Sequence, residues 1–166
     1  MPDGLTVAKI AGATILPNIG GFLGSIAVRS NYDNWYMTLN KPTWTPPKWA
    51  FAPVWTSLYC GMGYASYLVW QSGDGFNGKA ALPLGLYAAQ LALNWAWTPI
   101  FFSSHSLKWS LVDIGLLTAT AGCCAVAFYE VNETAGLLMI PYLAWLGVAT
   151  SLNYYIYKHN DEKKDS

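Results

Sequence analysis

The sequence predicts an all-α membrane protein, a bundle of five transmembrane helices, and three observations carry that prediction. Hydrophobic residues make up 54% of the 166 residues and charged residues only 11%, under half the share usual in a soluble domain. Five stretches, 10–28, 49–73, 80–107, 114–129 and 134–157, contain no Asp, Glu, Lys or Arg. Aromatic residues reach 16%, with nine tryptophans. Such rings suit a membrane interface and also the wall of an apolar ligand cleft.

A helix needs about 20 mostly apolar residues to cross a hydrocarbon core of about 30 Å, and one charge at its centre costs roughly 2.5–3.5 kcal/mol. The charge-free runs therefore predict spans at about 5–27, 46–70, 80–102, 107–128 and 134–157. Together they form one domain over residues 1–158, followed by a polar tail, 159–166. The fourth span is the least secure, because Asp113 falls near its start. Pro17, Pro53, Pro99 and Pro141 lie inside the spans. A packed bundle can satisfy the carbonyls they free, so they do not exclude helices. The apolar runs are too long, and alternate too little, to read as strands. The first span reads as a retained helix and not as a cleaved leader, since Pro17 and the Gly20-Gly21 pair interrupt its apolar core.

Five crossings put the two chain ends on opposite sides. One side holds the N-terminus and the connections near 71–79 and 129–133, with Lys9 and Lys79 as its cations. The other holds the 28–45 loop, the turn near 103–106 and the tail. It carries Arg29, Lys41, Lys48, Lys108, Lys158, Lys163 and Lys164. The excess of cations marks this second side as cytosolic, with the C-terminus in the cytosol. The 28–45 loop is long and aromatic, so it reads both as a lid and as an interfacial belt of Trp and Tyr.

Net charge is zero, which gives no sign of a nucleic-acid partner. The cysteines, Cys60, Cys123 and Cys124, do not form a secreted disulfide pattern and read as small packing residues. His105 and His159 have no obvious companions for a metal site. Paired intramembrane carboxylates, a Ser/His/Asp set and a phosphate loop are all missing from the sequence, so no catalytic residues and no cofactor are expected. Asp113 with Lys108 reads as interfacial charge at a helix start.

Polar and aromatic residues at helical spacing point to the bundle interior. Gln90, Asn94 and Trp97 share one face of the third span, and an amide in hydrocarbon must be paired, so that face looks inward. Trp55, Tyr59 and Met62 share a face of the second span; Trp109, Asp113 and Leu116 one of the fourth; Trp145, Ala149 and Leu152, with Asn153 beside them, one of the fifth. Spacing alone leaves two readings open, helix-packing seams or a cleft for a planar apolar guest. Gly20-x-x-x-Gly24 and Gly85-x-x-x-Ala89 fit the small-residue pattern of close helix approach, either within the bundle or in a homodimer.

Three segments resemble a known family. They are Lys41-Pro42-Thr43-Trp44-Thr45-Pro46-Pro47 with Pro53-Val54-Trp55; Leu91-Ala92-Leu93-Asn94-Trp95-Ala96-Trp97-Thr98-Pro99-Ile100-Phe101-Phe102; and Pro141-Tyr142-Leu143-Ala144-Trp145-Leu146 with Leu152-Asn153-Tyr154-Tyr155. Together they look like the tryptophan-rich sensory protein family, which includes the translocator proteins or peripheral-type benzodiazepine receptors. The resemblance runs from about Pro17 to Lys158 and is closer to animal than to bacterial members. It implies a five-helix bundle in the mitochondrial outer membrane that binds cholesterol, porphyrins or haem precursors, and benzodiazepine-site ligands. It also implies a part in cholesterol transport and steroid metabolism. The ligand pocket it implies comprises Ser25, Val28, Phe51, Ala52, Val54, Trp55, Trp97, Trp109, Leu116, Trp145, Ala149 and Leu152, to which the inward face adds Asn94. Its cholesterol segment falls on Leu152, Tyr154, Tyr155 and Lys158. Membrane lipid and a second copy of the chain are the other partners expected. Trp55 and Trp145 match tryptophans linked to porphyrin breakdown, so a porphyrin-degrading enzyme is one alternative; a structural scaffold for membrane partners is another. Ser25, Phe51, Thr98 and Lys158 depart from the mammalian pattern, where Ala, Leu, Pro and Arg are expected.

Overall fold

The computed structural model describes residues 2–160, and among these the regular structure is entirely helical. Of the expected polar tail, residues 161–166, including Lys163 and Lys164, lie outside the described residues. The helices are α1 (Gly4–Asn31), α2 (Lys48–Ser72), α3 (Ala81–Thr98), α4 (Leu107–Val131), α5 (Glu133–Leu138) and α6 (Ile140–His159). Side chains cap three of the starts. The Thr6 amide donates to Asp3 Oδ1 at 2.7 Å, the Trp109 amide to Ser106 Oγ at 3.3 Å and the Ala135 amide to Asn132 Oδ1 at 3.0 Å.

Three helical stretches, Gly4–Asn31, Leu107–Val131 and Glu133–His159, are long and apolar enough to cross a membrane by length and composition. Helices α2 and α3 overlie the second and third expected spans, with the polar residues Gln90 and Asn94 inside α3. The boundaries differ where proline intervenes. The expected third span ran to 102, whereas α3 stops at Thr98 and a π-turn, Pro99–Ser103, completes it. The expected fifth span divides at Met139, because Pro141 has no amide proton for the carbonyl four residues back.

Around the bundle the order is α1, α2, α5 with α6, α4, α3, and back to α1. Glycines set the closest approaches. A Cβ on Gly63 would strike the Ala13 carbonyl, whose usual helical donor is missing because position 17 is proline. Gly20 lies against the Trp95 ring and Gly24 against Thr98, so this glycine pair seats α1 on α3 of the same chain. Gly85 has open space around it.

The core has two parts. The larger, around Met62, Ala65, Leu117, Ala121, Phe128 and Tyr142, fills the bundle toward the α5 end. The smaller joins Phe101, Phe102, Leu107, Leu152 and Ile156 to Tyr36 and Leu39 of the 32–47 connection. That connection therefore enters the end of the bundle. Trp35 stacks on His105 at 4.2 Å and Tyr36 packs on Phe102 at 5.6 Å, while Trp44 and Trp49 remain exposed. Trp35 and Tyr36 of the connection thus pack into the end of the bundle, while Trp44 of the connection and Trp49 of α2 stay outside it.

Candidate functional site

Helix α2 packs closely on α5 and barely touches α6. The two diverge toward the loop end because large rings stand between them. Phe51, Trp55 and Tyr59 repeat every four residues on α2 and so share a face. Opposite them stand Tyr142 and Trp145 of α6. Phe51 meets Trp145 edge-on at 5.9 Å; Trp55 meets Trp145 at 6.4 Å and Tyr142 at 6.4 Å, both edge-on. Edge-to-face contacts give way at modest cost, about 0.5–1.5 kcal/mol each beyond area burial. The rings can therefore part for a flat guest. Among the described residues the buried Trp145 indole nitrogen has no hydrogen-bond partner, so it offers a donor to an acceptor on that guest.

Beneath the rings lies a polar floor. The Tyr59 hydroxyl donates to Asn94 Oδ1 at 2.6 Å, Asn94 Nδ2 donates to the Tyr142 hydroxyl at 3.0 Å, and that hydroxyl donates to Gln90 Oε1 at 2.7 Å. All four side chains are buried. The relay ties α2, α3 and α6 together at one level and fixes the inner wall of the cleft. A second link runs from Trp97 Nε1 to Asn153 Oδ1 at 2.8 Å and from Asn153 Nδ2 to Ser110 Oγ at 3.4 Å. It joins α3, α6 and α4 nearer the loop end.

The expected pocket residues divide among several surroundings. Phe51, Trp55 and Trp145 pack against one another as an aromatic cluster between α2 and α6, with Val54 and Ala149 half-buried on the same helices and Ala52 exposed. Asn94 is in the floor. Trp97 stacks on Phe101 at 4.8 Å, and Leu152 and Val28 pack in the smaller core with it. Ser25 donates to the Phe22 carbonyl at 2.6 Å on α1. Trp109 and Leu116 are 61% and 57% exposed and line an open groove with Val112 and Ser104, apart from the Trp55–Trp145 rings. On α4 the buried stripe runs through Ser110, Ile114, Leu117 and Ala121, one residue on from the face on which Trp109 stands; Asp113 lies at its edge.

The segment expected to meet cholesterol also divides. Leu152 is buried, Tyr155 stacks on His159 at 3.9 Å, and Tyr154 and Lys158 share an exposed face one turn apart. That face continues through Ser151, Gly147 and Ala144, all small and exposed. It is a smooth strip ending in a ring and a cation.

Residue spacing marked the faces of Gln90, Asn94 and Tyr59 but missed Tyr142 as their common partner. Its position three residues before Trp145, on the same helical face, was the available signal. No spacing signal pointed to Asn160, whose side chain accepts from the Asn40 amide at 2.9 Å and donates to the Asn40 carbonyl at 3.1 Å, holding the loop to the end of α6.

Residues 13–158 match the sequence model of the TspO/MBR family. The chain is 48% identical over 153 residues to a translocator protein of Sus scrofa, covering 92% of this chain and 90% of the relative. It is 50% identical over 149 residues to the translocator protein of Homo sapiens, covering 90% and 88%. A tryptophan-rich sensory protein of Cereibacter sphaeroides is 41% identical over 122 residues, 74% of each chain.

Proposed function

Because the chain belongs to the TspO/MBR family of membrane proteins, we propose that it binds flat apolar ligands between α2 and α6 and a sterol on the outer face of α6. The pocket ligands are porphyrins or haem precursors and benzodiazepine-site compounds; the sterol is cholesterol. The protein crosses the mitochondrial outer membrane five times, with its C-terminus in the cytosol, and serves cholesterol handling there. The observation that carries the pocket is the unpartnered Trp145 indole N–H, whose ring meets Phe51 and Trp55 edge-on. An apolar cleft with one convergent donor suits a planar guest bearing an acceptor. The smooth strip from Ala144 to Lys158 supports a sterol: small residues admit its flat face, Tyr154 stacks on it, and Lys158 at the interface meets the hydroxyl.

Two substitutions separate these sites. Trp145→Phe keeps a ring and removes the donor, so protoporphyrin should bind about 3–10-fold more weakly, the worth of one net hydrogen bond. Tyr154→Ser should weaken cholesterol and leave protoporphyrin unchanged. Tryptophan-fluorescence quenching reads the first and a labelled-sterol assay the second. Equal losses of both ligands in both variants would overturn the two-site reading.

The contact between Trp55 and Trp145 at 6.4 Å favours one second reading, oxygen-dependent breakdown of protoporphyrin under illumination. A new absorbing product that needs both tryptophans would select it.

A further inference from the structure

At the end of the bundle away from the 32–47 connection, an open groove of about 630 Å³ runs between α1 and α3, backed by α2. Its walls are apolar, and the one charged residue among those lining it is Lys9. The Lys9 ammonium lies 4.7 Å over the Trp70 ring, which holds the cation at the mouth. Asp3, the acid nearest in sequence, uses its carboxylate to cap α1 through the Thr6 amide. Along α3 the groove runs from Leu84 to Trp95, about 16 Å at the rise of an α-helix. There the Trp95 indole donates to the Pro17 carbonyl at 3.3 Å and closes the groove. Half of a hydrocarbon core of about 30 Å is nearly the same length.

A cation at headgroup level, an apolar channel one leaflet deep and a floor at mid-membrane match one occupant. The geometry points to a seat for an anionic phospholipid of the surrounding bilayer, its phosphate on Lys9 and an acyl chain along α3. Asp3 also lies within electrostatic reach of Lys9, but its carboxylate is engaged by the Thr6 amide; a sterol would offer the ammonium one neutral hydroxyl where a phosphate offers a full charge. The seat lies at the opposite end from the aromatic cleft, so the inference rests on the membrane reading and not on the ligands proposed above.

The test uses the full chain in a mild detergent with dioleoyl phosphatidylglycerol or dioleoyl phosphatidylcholine, read by native mass spectrometry. The anionic lipid should be retained about fivefold more tightly, the usual effect of one basic residue near a membrane surface. Lys9→Gln should reduce that preference to parity. Ala88→Phe, at an exposed alanine of the groove wall, should abolish retention of both lipids and leave protoporphyrin quenching intact. Equal retention of the two lipids by the unaltered protein, or a preference that survives Lys9→Gln, would overturn the proposal. So would Ala88→Phe breaking a dimer while lipid retention persists, which would assign the groove to a second copy. Failure of protoporphyrin to bind the unaltered protein would sink the pocket reading alone and leave the lipid preference to be judged on its own result.

Discussion

At the residue scale, Asn94 has the most demanding position. It accepts from Tyr59 and donates to Tyr142 in a buried site, so its amide satisfies two phenols that no water reaches. Asn94→Leu keeps the volume, leaves the Tyr59 hydroxyl without its acceptor and reduces Tyr142 to its bond to Gln90. An unsatisfied buried polar group costs about 1–3 kcal/mol, so Tm should fall by about 2–12 °C, at roughly 2–4 °C per kcal/mol for a chain this long, as measured by thermal unfolding of the ligand-free protein in detergent. An unchanged Tm would show that the relay contributes nothing. The inward direction of Gln90, Asn94 and Trp97 was legible in the sequence, because amides cannot face lipid unpaired. Their partners were not, because pairing across helices depends on register. Trp109 and Leu116 share a periodic face with Asp113, and α4 is turned so that this face straddles the boundary between core and exterior.

At the element scale, the 32–47 connection is held at two points. Asn160 pairs with both backbone groups of Asn40, and the Asn40 side chain donates to the His159 carbonyl at 3.1 Å. Asn160→Ala should free the connection without unfolding the bundle. Hydrogen exchange of residues 33–45 should quicken while α3 and α4 stay protected; unchanged exchange would show that the hydrophobic plug alone holds the loop. That plug carries a pH limit. Burial, followed by the nearby Tyr32, pushes the Tyr36 phenol up to about 12. The native state therefore holds this proton more firmly than the unfolded state. The stabilisation is complete below about pH 10, the phenol's ordinary value, and is lost as pH rises from there toward 12. Proteolysis of the loop should accelerate across that window, and Tyr36→Phe should remove the acceleration. The sequence marked this connection as long and aromatic but did not say which rings go in. Trp35 and Tyr36 enter because the π-turn after Pro99 presents Phe101, Phe102 and His105 to them.

At the scale of the whole molecule, the α1–α2–α5/α6–α4–α3 ring leaves α2 and α6 apart at the loop end and sets α1 on α3 at the other. The aromatic cleft and the Lys9 groove thus occupy opposite ends and different helix pairs. The proposed orientation in the mitochondrial outer membrane rests on charge: Arg29, Lys41, Lys48, Lys108 and Lys158 all lie at the loop end, against Lys9 and Lys79 at the other. Protease added outside intact mitochondria should clip the tail after His159 and spare the N-terminus. A protected tail would reverse the orientation and move the aromatic cleft away from the cytosol.

The sequence by itself determined the helical class, the approximate extent of the apolar segments and the inward direction of several polar residues. Each follows from local physics, since hydrocarbon rejects charge and unpaired amides whatever the neighbouring helices do. Only the tertiary structure decided which helices adjoin, that Pro141 splits the last of them, that Trp109 stands apart from Trp55 and Trp145, and that Lys9 heads a groove. The split at Pro141 follows from its missing amide proton, but its position within a continuous apolar run hid it; the other outcomes depend on how each helix is rotated about its axis. In a membrane that rotation is set by contacts among small residues, rings and hydrogen bonds, because lipid and protein interior are equally apolar and burial alone gives it no preference.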